Sequence, residues 1–370
     1  MKFRTSLVFL LFVSVATYAQ DKFAPSTTSQ INNKVTEFMA KTGAPGVSVA
    51  IVKDGRFVWA TGYGLADLEN NVPATAETEY RLASVSKSVS ATGAMWLVEH
   101  GKLDLDAPVQ RYCPAFPKKP WPITTREVLA HTAGIRHYKS ESPDDPDVSS
   151  TKHYNSIEES LQTFAKDDLI AEPGKGFHYS TFGYTLLGCV MEGASRQKYI
   201  DFMRQAIFLP AGMQHTEDDD VHRIIPHRAQ GYQKTKTGEI INSDLADTSY
   251  KLPGGGLTSN AEDMARLEAA LLDYKVLQQA TRQQMWTKQT TLPSDKDPAR
   301  GYGLGWGSST WFGFTTVGHG GAQQRVSTAI IMQPEHKAGA VVLCNLEDVD
   351  VFALAAELLK IAMGAENDGR

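Results

Sequence analysis

The sequence predicts an α+β fold in which an antiparallel sheet formed by both chain ends is flanked by helices, with an inserted all-α region. Three observations favour this fold class. Apolar, β-branched segments occur near the start of the chain and again near its end. The segment between them, about residues 81–264, reads as helices and loops. Strands at both ends with helices between them are typical of one unit whose termini share a sheet.

The first residues resemble a secretory signal peptide. Lys2 and Arg4 precede an apolar run over 6–17, and Ala19 completes a small-x-small pattern. Because about a dozen apolar residues are too few to span a bilayer comfortably, we expect cleavage after Ala19. Residues 1–19 are then expected to be a signal peptide and 20–370 a single domain, periplasmic or secreted, with no stable membrane span after processing. An uncleaved anchor is the alternative.

The α/β part is expected at about 35–80 and 265–365. A short helix is predicted over 32–41, after a loose polar start. Residues 46–53 are apolar and β-branched, Asp54 and Gly55 favour a hairpin turn, and 56–62 return as a strand. Near the end, strands are predicted over 312–318, 325–333 and 338–345, with a break at Gly320 and Gly321. A terminal helix follows over 349–363.

The inserted part is dominated by helical patterns. Residues 84–100 are apolar on most sides, which predicts a buried central helix that ends at Gly101. Further helices are predicted over 125–130, 156–165 and 183–194. A Pro-Gly-Gly-Gly run at 253–256 indicates a tight backbone feature. Ser259 or Asn260 is then expected to cap a helix that reaches about residue 272.

Composition excludes several classes of function. The chain has 370 residues, 42% of them hydrophobic, and a formal charge of -5. There is no basic excess, so no nucleic-acid partner is expected. The three cysteines, Cys113, Cys189 and Cys344, are widely spaced and odd in number, which does not predict a disulfide scaffold. Cys189 lies in an apolar segment and is expected to pack in the core.

Ser84 and Lys87 form the most informative motif. If 84–100 is a helix, Lys87 stands over Ser84 on one face, and the free N–H groups and positive dipole end point at the serine oxygen. A neighbouring amine that takes its proton can then activate the serine as a nucleophile. The same Ser-x-x-Lys spacing begins at Ser149, in a Pro- and Asp-rich loop, and at Ser195, near a helix C-terminus. The alternative for Ser84 is an ordinary serine at a helix start.

Two further segments supply candidate partners for Ser84 and Lys87 in a catalytic site. Tyr179 precedes the helix predicted from residue 183, and its phenol is expected beside the lysine as a proton relay. His319 precedes two glycines, which allow a substrate close to the backbone, and an N–H near Ala322 would join that of Ser84 in an oxyanion hole. The alternatives are a tyrosine at a core edge and a surface histidine.

No metal or organic cofactor is expected. Residues 215–222 carry two histidines and several acidic residues, but no helical or strand period aligns them, so an exposed acidic loop is the preferred interpretation.

The ordered motifs resemble those of the penicillin-recognising serine hydrolases, on the class C side: β-lactamases, D,D-peptidases and their esterase relatives. That family's Ser-x-x-Lys, Tyr-x-Asn and Lys/His-x-Gly motifs match Ser84 to Lys87, Tyr179 to Thr181 and His319 to Gly321. The similarity covers about 35–362, and residues 134–138 and 179–187 are similar to the mitochondrial branch found in animals. The resemblance implies the β-lactamase/D,D-peptidase fold.

The resemblance also implies roles for these residues. Ser84, Lys87 and Tyr179 are the catalytic set. His319, Gly321, Ala322 and Thr181 belong to the substrate and oxyanion region. A literal Lys-Thr-Gly at 236–238 lies in a charged, turn-like stretch, so His319 is preferred for the third motif. The family's Tyr-x-Asn is Tyr-x-Thr here, which removes a carboxamide that would bind a substrate amide.

The sequence therefore predicts an exported serine hydrolase that forms an acyl-enzyme on an ester or amide. The expected substrate is a small molecule or a peptide, of peptide or D-amino-acid type, and compounds derived from the cell wall belong to this class. The alternatives are a true β-lactamase or D,D-carboxypeptidase, and a non-catalytic peptidoglycan sensor or assembly protein.

Overall fold

The structure is a computed structural model that describes residues 24–140, 147–148, 150–293 and 300–364. The expected signal peptide and Ser149 lie outside these residues. No helix in the described ranges is both long enough and apolar enough to cross a membrane.

The strands pair with their neighbours in antiparallel fashion. In chain order the strands are β1 (Gly46–Lys53), β2 (Arg56–Asp67), β3 (Val72–Pro73), β4 (Tyr80–Arg81), β5 (Glu217–Asp218), β6 (Tyr232–Lys234), β7 (Ile240–Asn242), β8 (Leu257–Ser259), β9 (Gly301–Tyr302), β10 (Gly307–Trp311), β11 (Phe314–Gln323), β12 (Val326–Gln333) and β13 (Ala338–Cys344).

The helices lie before, between and after these strands. They are α1 (Pro25–Thr42), α2 (Val85–Glu99), α3 (Thr125–Leu129), α4 (Ile157–Leu161), α5 (Thr181–Ser195), α6 (Tyr199–Met203), α7 (Leu209–Ala211), α8 (Leu252–Gly255), α9 (Ala261–Leu272), α10 (Gln279–Trp286) and α11 (Val351–Ala362). Short 3-10 turns cover Val109–Arg111 and Ser249–Lys251, and a π-turn covers Arg204–Phe208.

Both chain ends meet in one eight-stranded sheet, with the order β3-β2-β1-β13-β12-β11-β10-β9. The first long strand, β1, pairs with the last, β13, and Val47 lies opposite Cys344. The predicted α+β class, with a sheet shared by both chain ends, is confirmed, although the inserted region is not all-α because it also contains the short strands β5 to β8. Asp54 and Gly55 have φ of 51° and 73° at the hairpin turn between β1 and β2, as the sequence pattern predicts.

The central strands are buried on both faces, which explains their continuous apolar sequence. Val49 and Ile51 face a core shared with α1 and α11, while Ala50 and Val52 face the larger core that includes the helical region. Helix α9 packs on β1 and β13 from that second side. Its N-cap is Asn260, whose side chain accepts the N–H of Asp263.

Two expectations about the elements are wrong. Helix α1 begins at Pro25 and not near residue 32, because a proline suits the first turn and Ile31 and Val35 are fully buried against the sheet. Strand β11 continues through Gly320 and Gly321 to Gln323. A Cβ at Gly321 would lie 2.6 Å from the carbonyl oxygen of Leu82, so this glycine permits close approach and does not break the strand.

Cys189 packs in the core as expected, and it has a partner that the sequence did not predict. It is buried in α5, but it forms a disulfide with Cys113 across a sequence separation of 76 residues. Cys344 is free and buried. Widely spaced cysteines carry no pairing signal in the sequence, since only the fold brings Cys113 beside α5.

Candidate active site

Ser84 lies at the N-terminus of α2, between a strained residue and the first helical turn. Ala83 has φ of 48°, a left-handed conformation that costs energy in a residue with a Cβ. The N–H of Leu82 donates to Leu257 O, which ties this segment to β8. Ser84 is half-buried, and its backbone N–H donates to no group among the described residues. The serine oxygen is therefore held at the positive end of a buried helix.

Lys87 is fully buried one turn into α2, and its Nζ lies 3.1 Å from Ser84 Oγ. The same nitrogen donates to Thr181 Oγ1 at 3.1 Å and to Gly254 O at 2.7 Å. It lies 4.8 Å from the centroid of the Tyr179 ring. None of these partners is a carboxylate.

This environment disfavours the charged form of the lysine. Burial, and after it the positive charge of Lys251, holds the pKa of Lys87 well below its usual range. A lysine that is neutral at ordinary pH can accept the proton of the Ser84 hydroxyl.

Tyr179 lies beside Ser84 and Lys87, two residues before the start of α5. Its phenol is hydrogen-bonded to the side chain of Ser84, and burial raises its pKa well above the usual value. The ring packs against His131 at 4.4 Å between centroids. His131 also accepts the N–H of Ser180 at its Nδ1 and the N–H of His178 at its carbonyl oxygen, so it fixes the loop that carries Tyr179.

Strand β11 passes directly beside the start of α2. A Cβ at Gly321 would lie 3.0 Å from Ala83 Cβ, and Ala322 lines the same cavity as Ser84. The main chain at Ala322 is thus close to Ser84, where an oxyanion donor would be needed.

His319 lies inside β11 and not at a strand end. Its Nε2 is 2.9 Å from the hydroxyl of Tyr302, and its Nδ1 is 2.6 Å from Gly320 O. Because a carbonyl can only accept, Nδ1 carries the proton and Nε2 accepts from the tyrosine. Burial, with a smaller effect of Lys87, lowers the pKa of His319 to about 4. The ring is therefore neutral near pH 7, with both nitrogens engaged.

Thr181 is the first residue of α5 and is buried. Its hydroxyl accepts from Lys87, as above, and is also hydrogen-bonded to Tyr138. Its N–H donates to His137 Nδ1 at 3.3 Å. Thr181 therefore contacts the catalytic lysine.

These groups border a cavity of about 480 Å³. Its lining includes Ser84, Tyr179, Thr181 and Ala322, together with residues to which the sequence assigns no role. The latter include His137, Tyr138, Lys251 and Gln323. His137 and Tyr138 lie in the segment 134–138 that carries the family resemblance, whereas Lys251 has no signal of its own in the sequence.

The competing motifs lie elsewhere. Ser195 is the last residue of α5, as expected for a helix C-terminus, and its hydroxyl donates to main-chain carbonyls. The Lys-Thr-Gly stretch at 236–238 forms the exposed turn between β6 and β7. Neither lines the cavity beside Ser84.

One group among the described residues has ligand atoms close enough for a metal ion: His153, Asp220 and His222, within 4.8 Å of one another. His153 Nδ1 is already 2.8 Å from Asp247 Oδ2. Arg223 contacts Asp218 at 2.9 Å and Asp220 at 3.6 Å, so a cation already neutralises this acidic loop.

The family of the chain follows from comparison with known proteins. A beta-lactamase family model matches residues 31–363. The chain belongs to the beta-lactamase family. It is 31% identical over 435 residues to the serine beta-lactamase-like protein LACTB, mitochondrial, of Mus musculus, an alignment that covers 89% of this chain and 78% of that protein.

Solved structures of this family superpose well on the chain. EstCE1, a hydrolase with promiscuous acyltransferase activity, has a TM-score of 0.79 and 25% identity, over 92% of this chain and 99% of that one. The D-amino acid amidase from Ochrobactrum anthropi SV3 gives a TM-score of 0.79, 25% identity and the same coverage. The chain has the fold of serine beta-lactamase-type hydrolases.

Proposed function

We propose that this chain is an exported serine hydrolase that forms an acyl-enzyme at Ser84 and cleaves an ester or amide bond, the latter in a peptide or D-amino-acid compound. The observation that carries the proposal is the contact of Ser84 Oγ with the buried amine of Lys87. The hydrolase neighbours, an amidase and an acyl-transferring hydrolase, support the reaction class.

The geometry supports a simple division of roles. Lys87, with its lowered pKa, takes the proton as Ser84 Oγ attacks the acyl carbon. The N–H groups of Ser84 and Ala322 hold the developing oxyanion. The proton then passes through the Tyr179 phenol to the leaving oxygen or nitrogen, and the C–O or C–N bond breaks.

Deacylation follows the reverse route. A water molecule attacks the acyl-enzyme and gives its proton through Tyr179 to Lys87, and Ser84 Oγ is reprotonated as it leaves. Because burial raises the pKa of Tyr179, the phenol is protonated near pH 7. Tyr179 therefore transfers protons, while Lys87 is the base that accepts and later releases them.

Labelling with a fluorophosphonate probe tests the proposal. We expect an adduct on the peptide that contains Ser84, absent in Ser84→Ala and retained in Ser195→Ala, the control serine with the same Ser-x-x-Lys spacing. No adduct on the native protein, together with no turnover of p-nitrophenyl butyrate, would favour the non-catalytic sensor or assembly role. An adduct on Ser195 would contradict the assignment of the nucleophile.

The Cys113–Cys189 disulfide supports export. Disulfides persist in oxidising compartments and are rare in the cytosol. Together with the signal-like start of the sequence, this favours a periplasmic or secreted protein. Mass analysis of the protein from cell envelope and medium should show Gln20 as the first residue. A full-length cytoplasmic product would contradict export.

A further inference from the structure

A second buried lysine, Lys251, lines the cavity beside Ser84. It ends the 3-10 turn that precedes α8 and is 2% exposed. Its Nζ lies 5.5 Å from the ring centroid of Tyr138 and 5.2 Å from that of Tyr250. The proposed reaction gives this group no role.

No carboxylate of the described residues forms an ion pair with Lys251. Asp219 attracts it from a distance but is already paired with Arg81 at 2.6 Å and Arg228 at 3.4 Å. Glu347 and Asp348 line the same cavity without pairing with the lysine. A buried cation without a counter-ion is costly, and a bound anion would compensate that cost.

A second unpaired donor lies next to Lys251. The Nε2 of Gln323 is buried and has no hydrogen-bond partner in the described part of the chain. A Cβ added to Gly255 would lie 3.4 Å from both Gln323 Oε1 and Lys251 Cδ, so both side chains border this glycine. The preceding residue, Gly254, accepts the hydrogen bond of Lys87. Lys251 and Gln323 therefore border the residue that directly follows a hydrogen-bond partner of Lys87.

We propose that Lys251 and Gln323 form a subsite for a carboxylate of the substrate, so that the enzyme prefers esters or amides that carry a free carboxylate in the acyl or leaving part. The inference rests on the proposed hydrolase function. One carboxylate oxygen accepts from the ammonium of Lys251 and the other from the carboxamide of Gln323. His319, neutral and engaged by Tyr302, offers no charge for this purpose.

The electrostatics of the site agree with this role. Burial, and after it Arg81, lowers the pKa of Lys251 to about 7, against a smaller opposing effect of Asp219. A bound carboxylate stabilises the protonated form, so the substrate itself completes the ion pair.

Two matched substrate pairs test the inference. The mono-p-nitrophenyl ester of adipic acid is compared with p-nitrophenyl hexanoate, which places the carboxylate in the acyl part. The second pair, 3-(hexanoyloxy)benzoate and its methyl ester, places it in the leaving part. In Lys251→Met the ratio of kcat/KM for the charged over the neutral substrate should fall by roughly 10- to 100-fold in at least one pair. Because each ratio divides out effects on the shared chemistry, a general loss of activity does not imitate this result.

Three variants complete the design. Lys251→Arg keeps the charge and should retain most of the ratio, and Lys53→Met, at the exposed end of β1, should match the native protein. If Lys251→Met does not fold, Gln323→Met removes the second donor and should lower the same ratio. Unchanged ratios in folded, active variants overturn the subsite alone. Absence of turnover on every ester by the native protein overturns the proposed function instead.

Discussion

Thr181 Oγ1 lies 3.1 Å from Lys87 Nζ, so the last residue of the Tyr-x-Thr motif contacts the proposed base. Thr181 is 3% exposed, and its hydroxyl is also hydrogen-bonded to Tyr138. The contact holds the amine beside Ser84 in a site without a carboxylate partner. Thr181 therefore supports the position of the base, and it leaves little of its side chain for a substrate.

Removal of the base should reveal its contribution directly. We expect Lys87→Ala to lower kcat/KM for p-nitrophenyl butyrate by roughly two or more orders of magnitude, because general base catalysis contributes about 10²–10⁴-fold. Lys198→Ala is the matched control, since Lys198 ends another Ser-x-x-Lys match and is exposed. A similar loss in both variants, or a loss under tenfold in Lys87→Ala, would contradict the role of Lys87.

The charge of Lys251 should affect the pH dependence of turnover, because it acts on the pKa of Lys87. The titratable groups around Lys87 are Tyr179, Tyr184, His131, His137, His319 and Lys251. The pKa of each of these histidines is lowered and that of each tyrosine raised, so Lys251 is the group of this set that adds positive charge near neutrality. Its charge helps to lower the pKa of Lys87.

Loss of the Lys251 charge should move the acid limb of the pH profile to higher pH. Lys87 acts as a base when neutral, so kcat/KM for a neutral ester rises as pH increases through its pKa. Lys251→Met removes a positive charge, the pKa of Lys87 rises, and the acid limb of the pH profile moves to higher pH. The profile of p-nitrophenyl hexanoate turnover measures this shift, with Lys53→Met as the control. A limb that stays in place or moves to lower pH would show that Lys251 does not act on the base.

The sequence predicts part of this site because Ser84 and Lys87 are close in the chain. An apolar segment that begins at a serine is sufficient to place both on one helix end, and two β-branched segments are sufficient to predict a sheet shared by the termini. The strand break expected at Gly321 is absent because a glycine that allows contact with Leu82 has the same sequence signal as one that breaks a strand.

Other parts depend on contacts between distant segments. The left-handed Ala83 has no residue-type signal, since glycine would be the usual choice there. Tyr302 reaches His319 only because β9, β10 and β11 are neighbours in the sheet. Lys251 resembles any surface lysine in sequence, and only its burial beside Ser84 distinguishes it.

The disulfide should stabilise the fold measurably. Cys113–Cys189 closes a loop of 76 residues, for which the chain-entropy relation gives about 4 kcal/mol of unfolding free energy. Urea unfolding of the native protein should therefore shift to a lower midpoint on addition of a reductant. The Cys113→Ser/Cys189→Ser variant should show a low midpoint with or without it. Alkylation of three thiols in the unreduced, denatured native protein would show that the disulfide is absent.

Thr181 and His319 already form hydrogen bonds within the protein, and this should make esters better substrates than β-lactams. A β-lactam side-chain amide needs both a donor and an acceptor, which an asparagine carboxamide supplies and one buried hydroxyl does not. The imidazole of His319 is neutral, and its two nitrogens are taken by Tyr302 and Gly320. A carboxylate held by Lys251 would still leave that amide unpaired. The nucleophile itself is unaffected, so a small activated ester should be hydrolysed much faster than nitrocefin.

Steady-state kcat/KM values for p-nitrophenyl butyrate and nitrocefin, measured on the native protein, test this preference, and we expect a ratio well above tenfold in favour of the ester. Thr181→Asn with His319→Lys restores the family's carboxamide and cation, and should raise β-lactam acylation relative to ester turnover. Ser195→Ala serves as the control, because this serine lies at the far end of α5 and should leave the ratio unchanged. Equal efficiency of the native protein on both substrates would mean that Thr181 and His319 do not exclude β-lactams, and the proposal of a true β-lactamase would then take precedence.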